Sequence, residues 1–188
     1  MSKRKRGTPV PKRQTLYEFD SRVDERVDMA ALQLLMTPII QEISDNVQRY
    51  GIRIVQSDKG IGKTCTEPIE ADELVGVYTG TVYNADEAPP DDNNGRLMGL
   101  PNSLVVNAFG PSAINAADFN HSCQRFNCRY MFVHDDDHLL NAVVLATIRR
   151  VEAGEELLVN YGDEYFRKSS GSVACLCDTP CPLNRFFG

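Results

Sequence analysis

The sequence predicts a mostly β domain of small curved sheets with short helices, preceded by a helical N-terminal extension. Three observations carry this. From residue 51 onward, apolar runs at 52–55, 74–78, 104–106, 130–133, 139–147 and 156–159 read as strands, separated by glycines, prolines and Asp/Asn clusters. No helical period alternates with them, which argues against an alternating α/β fold. Before residue 51, Leu32, Leu35, Ile39, Ile43 and Val47 recur at three- and four-residue spacing, an apolar helical stripe.

Residues 1–20 read as a flexible basic tail. Lys3, Arg4, Lys5, Arg6, Lys12 and Arg13 occur without an acid among the first 13 residues, and Pro9 and Pro11 interrupt them. This run resembles a nuclear-import signal. The helical segment at 21–50 reads as two helices, 22–36 and 38–50, with Thr37 as cap and Pro38 in the first position of the second. Its stripe is expected to pack on the domain behind it. In that domain, residues 88–95 (Ala-Pro-Pro-Asp-Asp-Asn-Asn-Gly) form an exposed loop, and Asp135-Asp136-Asp137 a hairpin turn.

The bulk numbers bound the function. The 188 residues suit one domain with short appendages, and 42% hydrophobic content is enough for a core. The longest apolar run, residues 142–146, is far short of the roughly 20 needed to span a membrane, and the basic start is not followed by a signal-peptide apolar stretch. An intracellular protein without a membrane partner is expected. Net charge is −6. Outside the first 13 residues, 14 basic residues face 26 acidic ones, or −12. An acidic body suits a basic protein partner and argues against direct nucleic-acid binding, which needs clustered Lys/Arg on the folded surface.

Four groups of residues carry candidate chemistry. Gly60-Ile61-Gly62 follows a strand, where two glycines allow close approach of a ligand, although a turn explains them equally well. Asn120-His121-Ser122-Cys123 groups donors and acceptors that need each other or a polar ligand if buried. Glu155-Glu156-Leu157-Leu158-Val159-Asn160-Tyr161-Gly162-Asp163 ends in a tyrosine at a strand–turn junction, whose hydroxyl needs a partner if buried. Cys175, Cys177 and Cys181 form a short-spaced thiolate knuckle that lacks one ligand of a tetrahedral zinc site. Cys123 is the favoured fourth ligand and Cys128 the second choice, while Cys65 reads as a small buried residue.

Taken in order, these motifs resemble a SET-domain protein lysine methyltransferase with a post-SET-like cysteine segment. The resemblance covers about residues 51–187. It rests on Lys59-Gly60-Ile61-Gly62, Val77-Tyr78-Thr79-Gly80, Asn120-His121-Ser122-Cys123, Asn127-Cys128, Gly154-Glu155-Glu156-Leu157 and Asn160-Tyr161-Gly162. It implies a SET domain at 51–166 and a post-SET zinc segment at 171–188, with a knot-like C-terminal segment that sets the Asn-His and Tyr stretches side by side. It further implies S-adenosylmethionine bound by Lys59, Gly60, Ile61, Gly62, Asn120, His121, Tyr161 and Phe186. One zinc ion would be held by Cys123, Cys175, Cys177 and Cys181.

The implied reaction is methyl transfer to a lysine amine of a basic protein, a histone or nucleosome, in the nucleus. Tyr161 would align the amine, and Tyr78 and Tyr130 would line the lysine channel. Val159 replaces a bulkier family residue, and Tyr130 stands where some members limit methylation, so monomethylation is expected. The rival expectation is a catalytically silent SET-like module held by zinc. The family spacing is altered by one residue after Cys123 and again before Cys181, both in the zinc neighbourhood.

Overall fold

The computed structural model describes residues 17–19, 29–57, 59–89, 96–100, 103–134 and 141–168. In chain order these form β1 (Tyr17–Phe19), α1 (Met29–Arg49), β2 (Arg53–Ser57), β3 (Gly60–Thr64), β4 (Leu74–Val77), β5 (Gly80–Asn84), β6 (Leu97–Leu100) and β7 (Leu104–Ala108). A 3-10 turn (Ala116–Asp118) follows, then β8 (Asn120–His121), β9 (Cys128–His134), β10 (Asn141–Thr147), β11 (Leu158–Val159) and α2 (Asp163–Lys168). The strands build three small sheets, ordered β1-β5-β7-β6, β4-β10-β9-β11-β8 and β2-β3. This is the mostly β architecture expected.

The five-stranded sheet holds the centre of the core. β9 and β10 pair antiparallel from Cys128↔Thr147 to His134↔Asn141. Val143, Val144 and Leu145 of β10 are fully buried, as are Val75 and Val77 of β4. The order of this sheet is not the order of the chain. β11 pairs in parallel with β8, Leu158 opposite Asn120 and Val159 opposite His121, and also with β9, Val159 opposite Cys128. It thus occupies the gap between two strands that succeed one another in sequence. The Ser122 N–H donates to the Val159 carbonyl (2.9 Å) and the Asn127 N–H to the Leu158 carbonyl (3.0 Å). The link between β8 and β9 is therefore tied to the inserted strand at both ends, the knot-like arrangement that the resemblance implied.

Asn127 makes this insertion possible. It is completely buried, so its amide must be satisfied internally. Its Nδ2 donates to the Glu156 carbonyl (2.8 Å) and Glu155 Oε1 (3.1 Å), and its Oδ1 accepts the Leu158 N–H (2.8 Å). One side chain thus replaces the ladder partners that such a short strand cannot find.

The N-terminal region corrects the sequence reading twice. A single 21-residue helix runs through Pro38 where two were expected; residues 22–28 lie outside the described residues. An internal proline costs about 3 kcal/mol. Burial of Met36 and Ile43, both fully inaccessible, offsets this at about 1.5–3 kcal/mol each, and Thr37 and Pro38 fall on the exposed side. Asn46 Nδ2 donates to the Leu74 carbonyl (3.0 Å), fastening α1 to β4. The second correction is Tyr17–Phe19, expected in the flexible tail, which form β1 and pair in parallel with β5. That pairing joins residues some sixty positions apart, which no local pattern reveals.

Gly60-Ile61-Gly62, for which a turn was one of two open readings, belongs to a strand. β3 pairs antiparallel with β2, Ser57 opposite Gly60 and Arg53 opposite Thr64. The glycines hide it, because they read as punctuation. β5 and β6 were missed too, and β6 begins just after the 88–95 stretch that reads as loop. Residues 90–95, 135–140 and 169–188 lie outside the described residues.

Candidate active site

The threading of β11 between β8 and β9 brings the Asn-His and Tyr stretches together. The Tyr161 N–H donates to His121 Nδ1 (3.1 Å), and the Tyr161 hydroxyl donates to the Phe119 carbonyl (2.6 Å). Both ends of Tyr161 are therefore fixed to the strand that carries Asn120 and His121. Because the hydroxyl proton is already given away, the lone pairs left on the phenol oxygen are acceptors.

Tyr78 is buried, and Tyr130 and Tyr161 are half-buried. Burial raises the pKa of all three, and the phenols of Tyr78, Tyr161 and Tyr165 reinforce that of Tyr130. They stay neutral well above pH 7. Tyr161 packs edge-on to Tyr165 (4.9 Å between centroids), and His121 lies 4.7 Å from Phe166 and 5.2 Å from Tyr161. The result is an aromatic cluster of low polarity around one oriented phenol.

Asn120 faces the β2–β3 hairpin. Its Nδ2 donates to Glu156 Oε1 (2.8 Å) and Ser57 Oγ (3.2 Å). Gly62 is required for this. A Cβ there would stand 2.5 Å from both Asn120 Nδ2 and Glu156 Oε1. Its role is thus to admit side chains of its own protein. Gly60 differs: its φ of 98° lies in the left-handed region, and no atom of the described residues comes within 4 Å of a Cβ placed there. Ile61 between them is exposed.

Lys59 Nζ donates to the His121 carbonyl (3.4 Å). Burial, with Lys59 as a second cause, lowers the His121 pKa to about 4, so its ring is neutral near pH 7. Nδ1 accepts the Tyr161 N–H, so the proton sits on Nε2. That atom is buried and has no hydrogen-bond partner among the described residues. An orphaned donor beside a lysine ammonium is a fitting place for a polar, acid-bearing ligand.

The site also contains residues that the sequence reading missed. Tyr165 and Phe166 lie four and five residues past Tyr161, on α2. Their aromatic spacing after the Tyr-Gly turn was the available signal. Lys63 is fully buried, and no local pattern announces it. Among the expected ligands, Phe186, Cys175, Cys177 and Cys181 lie outside the described residues. Cys123 is half-buried, two residues beyond β8. Cys128 is a core thiol. It is inaccessible, its Sγ donates to Asn127 Oδ1 (3.5 Å), and burial raises its pKa, which disfavours the thiolate a metal requires. Cys65 is buried as expected. No cluster of metal-ligating side chains occurs among the described residues.

The SET-domain family model matches residues 60–162, more than half of the chain. The chain belongs to the SET-domain family. Among solved structures, it resembles a candidate histone methyltransferase of Plasmodium falciparum at 19% identity and a TM-score of 0.47, covering 59% of this chain and 92% of that one. It also resembles KRYPTONITE, solved in complex with mCHH DNA, an H3(1–15) peptide and SAH, at 25% identity and a TM-score of 0.51. That match covers 61% of this chain but 24% of KRYPTONITE, so the present chain corresponds to about a quarter of the larger protein. A search of curated proteins returns no match. No described helix is long and apolar enough to cross a membrane.

Proposed function

We propose that this SET-domain chain is an S-adenosylmethionine-dependent protein-lysine N-methyltransferase acting on a histone tail in the nucleus. The observation that carries the reading is Tyr161, held at its N–H by His121 and at its hydroxyl by the Phe119 carbonyl, within a cluster of neutral phenols. The crystal complex of KRYPTONITE with SAH and an H3 peptide supports both the donor and the substrate class.

When bound, S-adenosylmethionine supplies a sulfonium methyl group. The chain's residues do the rest by position and polarity. Lys59, the His121 Nε2–H and Gly60 would hold the donor, with Ile61, Gly62 and Asn120 around it; Phe186 would close the site. Tyr78 and Tyr130 would line the lysine channel. In water only about one lysine in 2,500 is neutral at pH 7, and a dry aromatic wall raises that fraction by disfavouring the charge. Tyr161 does not act as a base, because its own proton is held far above neutral pH. Its free lone pairs would orient the amine and make CH···O contacts to the methyl, so the gain is in alignment.

Tyr130 is an electrostatic neighbour of the Tyr161, Tyr78 and Tyr165 phenols, and by narrowing the lysine channel it would favour monomethylation. Cys123 with Cys175, Cys177 and Cys181 would hold one zinc ion and anchor the C-terminal segment. A labelled-methyl assay on histones and nucleosomes tests the whole reading, with Tyr161→Phe as control. Equal transfer by wild type and variant rejects the assigned tyrosine. Binding of S-adenosylmethionine without transfer on any basic substrate favours the interaction-module alternative. Mass spectrometry should show monomethyl product from wild type and higher states from Tyr130→Phe. One equivalent of zinc by elemental analysis, lost in Cys123→Ser, checks the metal.

A further inference from the structure

Lys63 is the largest fully buried side chain of the described core. Its Nζ donates to the carbonyls of Asn115 (2.7 Å) and Ala113 (2.8 Å), and it lies 4.6 Å from the centre of the Phe119 ring. An ammonium has three donors, and two carbonyls plus a ring face use all three. Phe119 is the residue whose carbonyl accepts the Tyr161 hydroxyl (2.6 Å), and Asn120 follows it directly. The bonded carbonyls and the ring lie on opposite sides of the 3-10 turn Ala116–Asp118. One cation therefore clamps both ends of the turn from which Tyr161 hangs.

Packing does not account for a lysine here. A methionine of similar length would fill the space without desolvating a charge, which is costly in a protein interior. We propose that Lys63 is a positioning residue for methyl transfer: its ammonium holds the 113–119 segment so that the Phe119 carbonyl presents the Tyr161 hydroxyl in working geometry. This rests on the assignment of Tyr161 above.

The clamp is sensitive to pH. Burial lowers the Lys63 pKa to about 7; Asp118 opposes that shift, Arg96 adds to it, and the Cys128 thiol faces the same space and opposes it weakly. Arg96 and Asp118 are themselves paired (3.0 Å), and Asp118 also accepts the Ser112 N–H (3.0 Å). Loss of the proton removes one donor and the attraction to the ring. The folded pKa lies below the unfolded lysine value of 10.5, so between pH 7 and 10.5 the unfolded chain binds more protons. Stability therefore rises with pH across that window while the clamp weakens. The stability change follows for any buried lysine; a fall in kcat across the same window is what marks a positioning role.

The test compares wild type with Lys63→Met. The variant should bind S-adenosylmethionine within about twofold of wild type, keep the peptide KM, and lose about tenfold in kcat at pH 6.5. The ratio of wild-type to variant kcat should shrink toward one above pH 8. A ratio of one throughout, or a deficit equal at every pH, overturns the proposal. Should Lys63→Met fail to fold, NMR of wild type with labelled lysine Cε and tyrosine rings decides. One buried lysine should titrate near pH 7 with the Tyr161 ring signal following it, and a Tyr161 signal that ignores the titration overturns the proposal. Absence of methyl transfer by wild type sinks the assigned function instead, and the NMR measurement, which needs no turnover, still judges the clamp.

Discussion

The five-stranded and four-stranded sheets differ in how fully they are enclosed. In the first, β10 is buried along residues 142–147, and β8 and β11 are buried throughout. In the second, β6 and β7 are mostly half-buried. Asn120, His121 and Tyr130 lie on the enclosed sheet, Tyr78 and Tyr161 just beyond its strands, and Lys59 to Gly62 on the neighbouring β2–β3 hairpin. The open sheet includes β6 (Leu97–Leu100) as one of its edge strands. Alignment of reacting groups needs over-determined positions, whereas reading a partner tolerates looser ones. Under the proposed function, the enclosed sheet would place the reacting atoms and the open sheet would meet the substrate chain.

Asn127→Ala should break the enclosed sheet hardest. It strands the Leu158 N–H and the Glu156 carbonyl inside the protein, for an expected loss of about 4 kcal/mol in urea unfolding. A loss below about 1 kcal/mol would mean that β11 is held by something else. Next comes Tyr161→Phe, which should lower kcat by about 100-fold while costing only about 1 kcal/mol of stability, one hydrogen bond. A thermal shift that matched the Asn127 variant would make Tyr161 structural.

Acidification should separate the two sheets more gently. His121 stays neutral in the folded protein down to about pH 4, whereas the unfolded chain takes up its proton near pH 6.5. In that window the unfolded state binds more protons, so stability present above pH 6.5 is lost as pH falls toward 4. The loss is on the order of 2 kcal/mol. Denaturant curves at pH 7 and 4.5 should show this loss in wild type and a smaller one in His121→Asn. The smallest effect is expected from Met98→Ala on β6. It should cost about 1 kcal/mol and act on the KM for peptide more than on kcat, and the reverse split would place β6 within the catalytic geometry.

Much of the fold was legible in the chain. Strands β4, β7, β9 and β10 carry β-branched or aromatic runs bounded by turn residues, so local pattern located them. β3 and β6 each contain glycine, and β1 depends on a partner far along the chain, so they were not found. Pro38 signalled a helix boundary, but burial of Met36 and Ile43 on one stripe outweighed it. At the site, Asn120, His121 and Tyr161 were found as an ordered set of polar residues. Tyr165 and Phe166 were passed over because their spacing after the Tyr-Gly turn hints at a cluster but does not say which aromatic rings will meet them.

By itself the sequence determined the residue types of the site, their order and the β character of the domain, because each is written in short-range spacing and composition. Only the tertiary structure decided that β11 enters between β8 and β9, that Gly62 makes room for Asn120 and Glu156, and that Lys63 lies beneath Phe119. These are contacts between segments some 30 to 95 residues apart, formed when burial forces polar groups to find partners that their neighbours in sequence cannot supply.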